Sequence, residues 1–165
     1  MDIINNRRSV RQYKDKPISK EIIEKLVRAG MQAPSAKNQQ PWRILVVTKK
    51  DMLIKLGQLA KFIENAGACF IIFYDLNNLK ALEMVQCDLG ACTQNILLEC
   101  VNNGLGACWI GMNERPQRIE ALNSIFNVPS NLVPFSVLSI GYPQDDEANH
   151  FIDRFDSSKV MYEDL

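Results

Sequence analysis

The chain has 165 residues, 47% of them hydrophobic, and its 19 basic side chains balance 19 acidic ones. That length fits one compact domain with a real core, because domains run about 50–250 residues. A neutral balance gives no global field to draw in nucleic acid or an anionic membrane, whose binding depends on clustered Lys and Arg, so neither is an expected partner.

The charge is nonetheless unevenly spread. Residues 1–28 carry eight Lys or Arg against four acids, while the last 22 residues carry seven acids against two bases. Either the two ends complement each other or both are ordinary solvated surface. The opening stretch lacks the apolar run of a secretory signal, and the longest apolar run, residues 68–74, is far short of the roughly 20 residues that span a membrane. A soluble, cytoplasmic protein is expected. Cys69, Cys87, Cys92, Cys100 and Cys108 lie in apolar surroundings without a C-x-x-C pair, the pattern of buried free thiols and not of a zinc or redox site. No metal is expected.

Ser19 ahead of Lys20 and Glu21 reads as a helix start, Ile22, Ile23, Leu26, Val27 and Met31 share one face, and Pro34 closes the helix. Residues 34–41, with prolines bracketing Ser, Asn and Gln, read as a loop before a strand over residues 42–48. A helix over 53–62 follows, then a strand over 68–74 whose unbroken apolar run predicts burial on both faces. From about Leu79 to Asn103 a long helix carries Leu89, Cys92, Ile96, Leu97, Cys100 and Val101 at helical spacing; Leu98 widens the stripe, and Gly104 can supply a left-handed cap. A strand over 105–110, a helix over 115–126 with Pro116 near its first turn, and a strand over 135–142 complete the order, before an acidic, irregular tail. Alternating helices and strands predict an α/β or α+β sandwich with helices on both faces of a mixed sheet.

Three clusters carry chemistry. Arg7-Arg8-Ser9-Val10-Arg11 places three guanidinium groups and a hydroxyl within five residues, which suits phosphate oxygens, although a solvated basic stretch has the same composition. The loop Ala33-Pro34-Ser35-Ala36-Lys37-Asn38-Gln39-Gln40-Pro41-Trp42 is either an ordinary turn or the amide-and-apolar wall that a flat heteroaromatic ring needs. Gly104-Leu105-Gly106-Ala107-Cys108-Trp109-Ile110-Gly111 is no dinucleotide fingerprint, because it follows a helix and enters a strand; Gly111 could let main chain approach a ligand.

In this order the Arg-Arg-Ser-x-Arg start, the Ala-Pro-Ser-x-x-Asn-x-Gln-Pro-Trp loop and the Gly-Leu-Gly-x-x-Trp-Ile-Gly segment resemble the nitroreductase family, from Arg7 to about Tyr142. The resemblance implies an α+β fold, a three-layer α/β/α sandwich whose mixed, mainly antiparallel sheet is flanked by helices. It also implies an intertwined homodimer of one FMN-binding domain over residues 1–165, the irregular tail from about 144 reaching over the partner chain. FMN would be held without covalent attachment. Arg7, Arg8 and Ser9 would anchor its phosphate and ribityl chain, and Arg11 would lie near flavin N1 and the C2 carbonyl. Pro34, Ser35 and Asn38 would come from the partner chain, with Gln40 of the same loop also in the cofactor-binding set. The main chain of Ile110 and Gly111 would lie near N5 and O4, and Arg154, with Lys159 as its rival, would close the phosphate site.

The implied activity is transfer of hydride from NAD(P)H through FMN to a small electrophilic acceptor such as a nitroaromatic or quinone, by a ping-pong mechanism. No catalytic side chain is required, because the flavin carries the chemistry. The sole histidine, His150, is given no role, and Cys108 reads as a small buried strand residue before a redox thiol. Two other readings share the cofactor clusters: a non-catalytic FMN-binding redox sensor or flavin carrier, and a relative performing reductive dehalogenation or flavin breakdown. A soluble α/β protein with a basic surface cluster and no cofactor is the reading from fold alone.

Overall fold

A computed structural model describes residues 2–113 and 115–163. Strand β2 (Ala68–Asp75) sets its layers: Ala68, Phe70 and Ile72 face one core cluster, Cys69, Ile71 and Phe73 the other. Burial on both faces is what the unbroken apolar run predicts. The sheet runs in the order β1 (Trp42–Val47), β2, β4 (Leu132–Gly141), β3 (Gly106–Gly111), and each of these pairings is antiparallel. Helices α2 (Lys20–Met31) and α4 (Val85–Asn102) supply Leu26, Leu89, Cys92 and Ile96 to the first cluster. Helices α3 (Lys50–Leu56) and α5 (Pro116–Ile125) supply Leu53, Leu56 and Leu122 to the second, giving three layers. Among the described residues no helix is long and apolar enough to cross a membrane.

The N-terminal segment is stitched to the outer edge of β3. After a four-residue helix α1 (Ile3–Asn6) capped by Asp2, which sequence periodicity does not reveal, Ser9 forms a parallel bridge with Ala107, and Val10 N donates to Ala107 O at 3.0 Å. This isolated parallel bridge lies outside the four antiparallel strands. It needs Gly106, because a Cβ there would lie 2.6 Å from Val10 Cβ. Gly104 behaves as its sequence position suggests: with φ of 70° it ends α4, while Leu105 N donates to Cys100 O at 2.8 Å and Gly104 N to Val101 O at 3.1 Å.

Several boundaries move, each for a physical reason. The long helix starts at Val85, not Leu79. Asp75 accepts hydrogen bonds from Asn77 N, Asn78 Nδ2, Asn131 Nδ2 and Arg43 Nη2, and folds Leu76–Asn78 as a 3₁₀ turn. Lys80 N and Ala81 N donate to Gln39 Oε1, so side chains have taken the backbone donors that a longer helix would use. The same bonds, Asn131's first, hold the Asp75 carboxyl below the usual carboxylate range.

The helix expected over 53–62 divides into α3 and a 3₁₀ turn at Lys61–Asn65; the two pack so closely that a Cβ on Gly57 would lie 2.3 Å from Glu64 Oε1. Strand β4 starts three residues before Phe135 and bulges there, with Ile72 opposite Ser136 but Phe73 opposite Pro134. Cys87 is exposed, outside the buried stripe of α4, correcting the expectation that all five thiols are buried. Burial pushes the Cys92 thiol up to about 12 and raises Cys69 and Cys100 as well. Residues 144–163 form no helix or strand beyond one 3₁₀ turn at Ser157–Lys159.

Candidate functional site

The arginine cluster of the N-terminal segment and the acidic tail meet. Arg7, Arg8, Arg154 and Gln94 of α4 are among the residues lining a cavity of about 310 Å³. Arg8 is held in place: Nη1 donates to Arg7 O at 2.6 Å, Nη2 to Asn5 O at 2.8 Å, and its backbone N–H to Asn149 Oδ1 at 3.2 Å. Asn149 Nδ2 in turn donates to Leu105 O at 3.0 Å, tying the tail to the entry of β3. Arg8 Nε is buried with no hydrogen-bond partner among the described residues.

Such an orphaned donor costs free energy until something accepts from it. Partial burial, with Arg154 and Arg7 adding like charge, makes the Arg8 guanidinium hold its proton less tightly than usual. An oxyanion between these groups answers both problems, so the residues fit a phosphate. Asp153 also lines the cavity but accepts the Phe155 N–H at 2.9 Å. Lys159, the rival to Arg154, pairs with Asp156 at 3.2 Å and does not line the cavity.

Ser9 is exposed and does not line this cavity. Arg11 also stands apart: Nη1 donates to Ser9 O at 3.4 Å, and its guanidinium carbon lies 5.9 Å from the Phe62 ring centroid. Burial raises the neighbouring Cys108 thiol and Arg11 opposes that rise, which leaves Cys108 a buried strand residue as its sequence suggests.

In the loop, Lys37 and Asn38 both have φ of 51° and Gln40 has 46°. Left-handed conformations at non-glycine residues cost roughly 1–3 kcal/mol each and persist only where surroundings enforce them. Buried Gln39 is the enforcement: Nε2 donates to Ala81 O at 3.0 Å and to Asp88 Oδ2 at 2.6 Å, while Oε1 accepts from Lys80 N and Ala81 N. Asp88 Oδ1 accepts from Ala36 N at 2.9 Å, and Ser35 Oγ from Gln40 N at 3.0 Å. Ser35 therefore braces the loop. Pro34, Asn38 and Gln40 stay exposed around this clamp.

At the end of β3 a third region opens. Ile110 is buried, Gly111 is exposed, and a Cβ on Gly111 would meet nothing within 4 Å. Its missing side chain is no packing requirement, and the space over it belongs to a cavity of about 320 Å³ that Trp109 also lines. The residues singled out in the sequence thus fall into three groups: the arginine cavity, the clamped loop and the end of β3. Neither the arginine cavity nor the cavity at the end of β3 is lined by residues of another group.

Sequence reasoning missed Gln39, Asp88, Gln94 and Asn149. Asp88 left a signal, an acid within the apolar stripe of Val85, Leu89 and Cys92. Gln39, flanked by Asn38 and Gln40, left none.

Fold and site together define an α+β protein with an arginine cavity suited to a phosphate-bearing ligand. The Nitroreductase family model matches residues 4–61 and 56–142. An Archaeoglobus fulgidus protein, provisionally named NADH dehydrogenase/NAD(P)H nitroreductase, is 39% identical over 168 residues, covering 99% of this chain and 97% of the relative. A Clostridium acetobutylicum structure, provisionally named NADH oxidase, has 44% identity and a TM-score of 0.95 over 99% of this chain and 100% of its own. An FMN-dependent nitroreductase of Clostridium difficile R20291 has 29% identity and a TM-score of 0.89 over 99% and 98%. The chain belongs to the nitroreductase family.

Proposed function

We propose that this chain is an FMN-dependent oxidoreductase that oxidises NAD(P)H and reduces a small electrophilic acceptor, such as a nitroaromatic or quinone, by a ping-pong mechanism. The observation that carries the reading is the cavity lined by Arg7, Arg8 and Arg154, together with an Arg8 Nε that is buried without a partner among the described residues. FMN, when bound, would supply the redox chemistry that links NAD(P)H oxidation to reduction of the acceptor.

The chain's own residues bind and orient. Arg7, Arg8 and Arg154 would hold the phosphate, and Ser9, next in sequence but outside the cavity, would meet the ribityl chain. Arg11, outside that cavity, places a fixed positive charge where reduction develops negative charge on the ring. The Ile110–Gly111 main chain would lie along the reacting edge, with open space beside Gly111. Because the loop carrying Pro34, Ser35, Asn38 and Gln40 lines neither cavity, the complete site is shared in a homodimer, with the loop supplied by the partner and the tail reaching across. Residues 1–165 act as one domain of a cytoplasmic enzyme.

Steady-state NADH and NADPH oxidation by the FMN-loaded protein, with a quinone and a nitroaromatic as acceptors, tests the activity. Parallel double-reciprocal lines are the expected result. Tight FMN binding without turnover on any acceptor would favour the sensor or carrier reading. Light scattering tests the assembly, and a monomer that keeps FMN would contradict the shared site.

A further inference from the structure

The pocket at the end of β3 carries more chemistry than a cofactor edge requires. Its lining is Trp109, Gly111, Asn113, Arg115, Arg118 and Phe135. Trp109 is 37% exposed, unusual for an indole in a strand otherwise well covered. It is fixed nonetheless: Phe135, turned to this side by the bulge in β4, tilts against it at 57° with centroids 5.7 Å apart. Arg118 Nη1 donates to Gly111 O at 2.7 Å, which ties one guanidinium to the same glycine and leaves four of its five donors.

Among the described residues neither Arg115 nor Arg118 has a carboxylate within 4.0 Å, unlike Arg28 with Glu24 or Arg43 with Asp75. Glu114 lies outside the described residues. An aromatic wall beside two such guanidinium groups and an amide is complementary to one kind of molecule, a planar ring bearing an anionic substituent.

We infer that this pocket is the acceptor subsite, and that it selects aromatic acceptors carrying a carboxylate or similar anion: the ring lies against Trp109 and the anion is held by Arg115 and Arg118. The inference rests on the reading that puts the Gly111 main chain beside the reacting edge of FMN. Arg118 is itself bonded to Gly111 O, so the anion is held beside that edge and fixes the ring's position against it.

The test uses FMN-loaded protein, with loading read from flavin absorbance. Calorimetric titration with benzoate and with benzyl alcohol compares an anion with a neutral ring of similar size, and kcat/KM for 4-nitrobenzoate and 4-nitrobenzyl alcohol makes the same comparison in turnover. Benzoate should bind about tenfold more tightly than benzyl alcohol, as expected of one charge-assisted contact, and the advantage should shrink with added salt. Arg115→Gln should remove most of the preference without changing affinity for benzyl alcohol, and Arg115→Lys should restore part of it. Arg118→Gln should act in the same direction.

Equal affinities for the two rings, or a preference that survives both Gln variants, would overturn the inference. So would variants that change only the KM ratio of NADPH to NADH, because the pocket would then hold a nucleotide phosphate. Protein that never takes up FMN refutes the functional reading itself, whereas loaded, active protein blind to acceptor charge refutes this inference alone.

Discussion

Gln39 and Asp88 meet inside the protein, 7% and 4% exposed, with Nε2 and Oδ2 2.6 Å apart. Their contact fixes the strained loop to α4. Asp88→Ala leaves the buried Gln39 amide and the Ala36 N–H without their acceptor, a loss on the order of 1–3 kcal/mol. At this size that corresponds to a fall in Tm of roughly 2–4 °C per kcal/mol. Gln39→Leu should cost a similar amount, and the double variant less than the sum, because both remove the same bond. Thermal unfolding followed by circular dichroism checks this; single variants with unchanged Tm would show that the clamp does not hold the loop.

The N-terminal arginines depend on a glycine far from them in sequence. Gly106→Ala drives a methyl group against Val10, only 2.6 Å away, and the segment from Arg7 to Arg11 must move. Overpacking of this kind costs about 1–3 kcal/mol. The variant should lose FMN affinity along with Tm, while Gly111→Ala, which meets open space, should leave stability within about 0.5 kcal/mol of its starting value. Equal effects of the two substitutions would argue against the stitched edge.

Arg7 and Arg11 separate binding from redox tuning. Arg7 lines the arginine cavity, where the phosphate charge is the same in both redox states, so Arg7→Gln should weaken oxidised and reduced FMN alike. Arg11 lies outside it, beside Ser9 O and the Phe62 ring. Arg11→Gln should lower the two-electron potential by about 30 mV, equivalent to roughly 1.4 kcal/mol of lost preference for the reduced anion. Potentiometry with a reference dye reads this directly. An unmoved potential with equal loss of both affinities would make Arg11 a phosphate ligand.

Much of the fold was legible because its signals are local. The unbroken apolar run of residues 68–74, the Ser19 cap and Gly104 each specify conformation through neighbouring residues. The start of α4 was not legible. Lys80 and Ala81 donate to Gln39, 41 and 42 residues away, and no window along the chain contains that competition. The side of the sheet that Phe135 faces was likewise hidden, because a bulge is a property of two paired strands. For the site, motifs singled out Arg7, Arg8 and Gly111 as individual residues, and Arg154 was preferred to Lys159. Their division between separate cavities, and the buried braces Gln39, Asp88 and Asn149, depend on tertiary placement.

The central claim is that the arginine cavity holds the phosphate of FMN, and titration of cofactor-free protein with FMN and with riboflavin, its phosphate-free counterpart, tests it most directly. Two or three sheltered charge-assisted contacts are worth several kcal/mol together, so FMN should bind at least about 100-fold more tightly than riboflavin. That advantage should collapse in Arg8→Gln and fall steeply with ionic strength. FMN and riboflavin binding with equal affinity, or neither binding at all, would contradict the account.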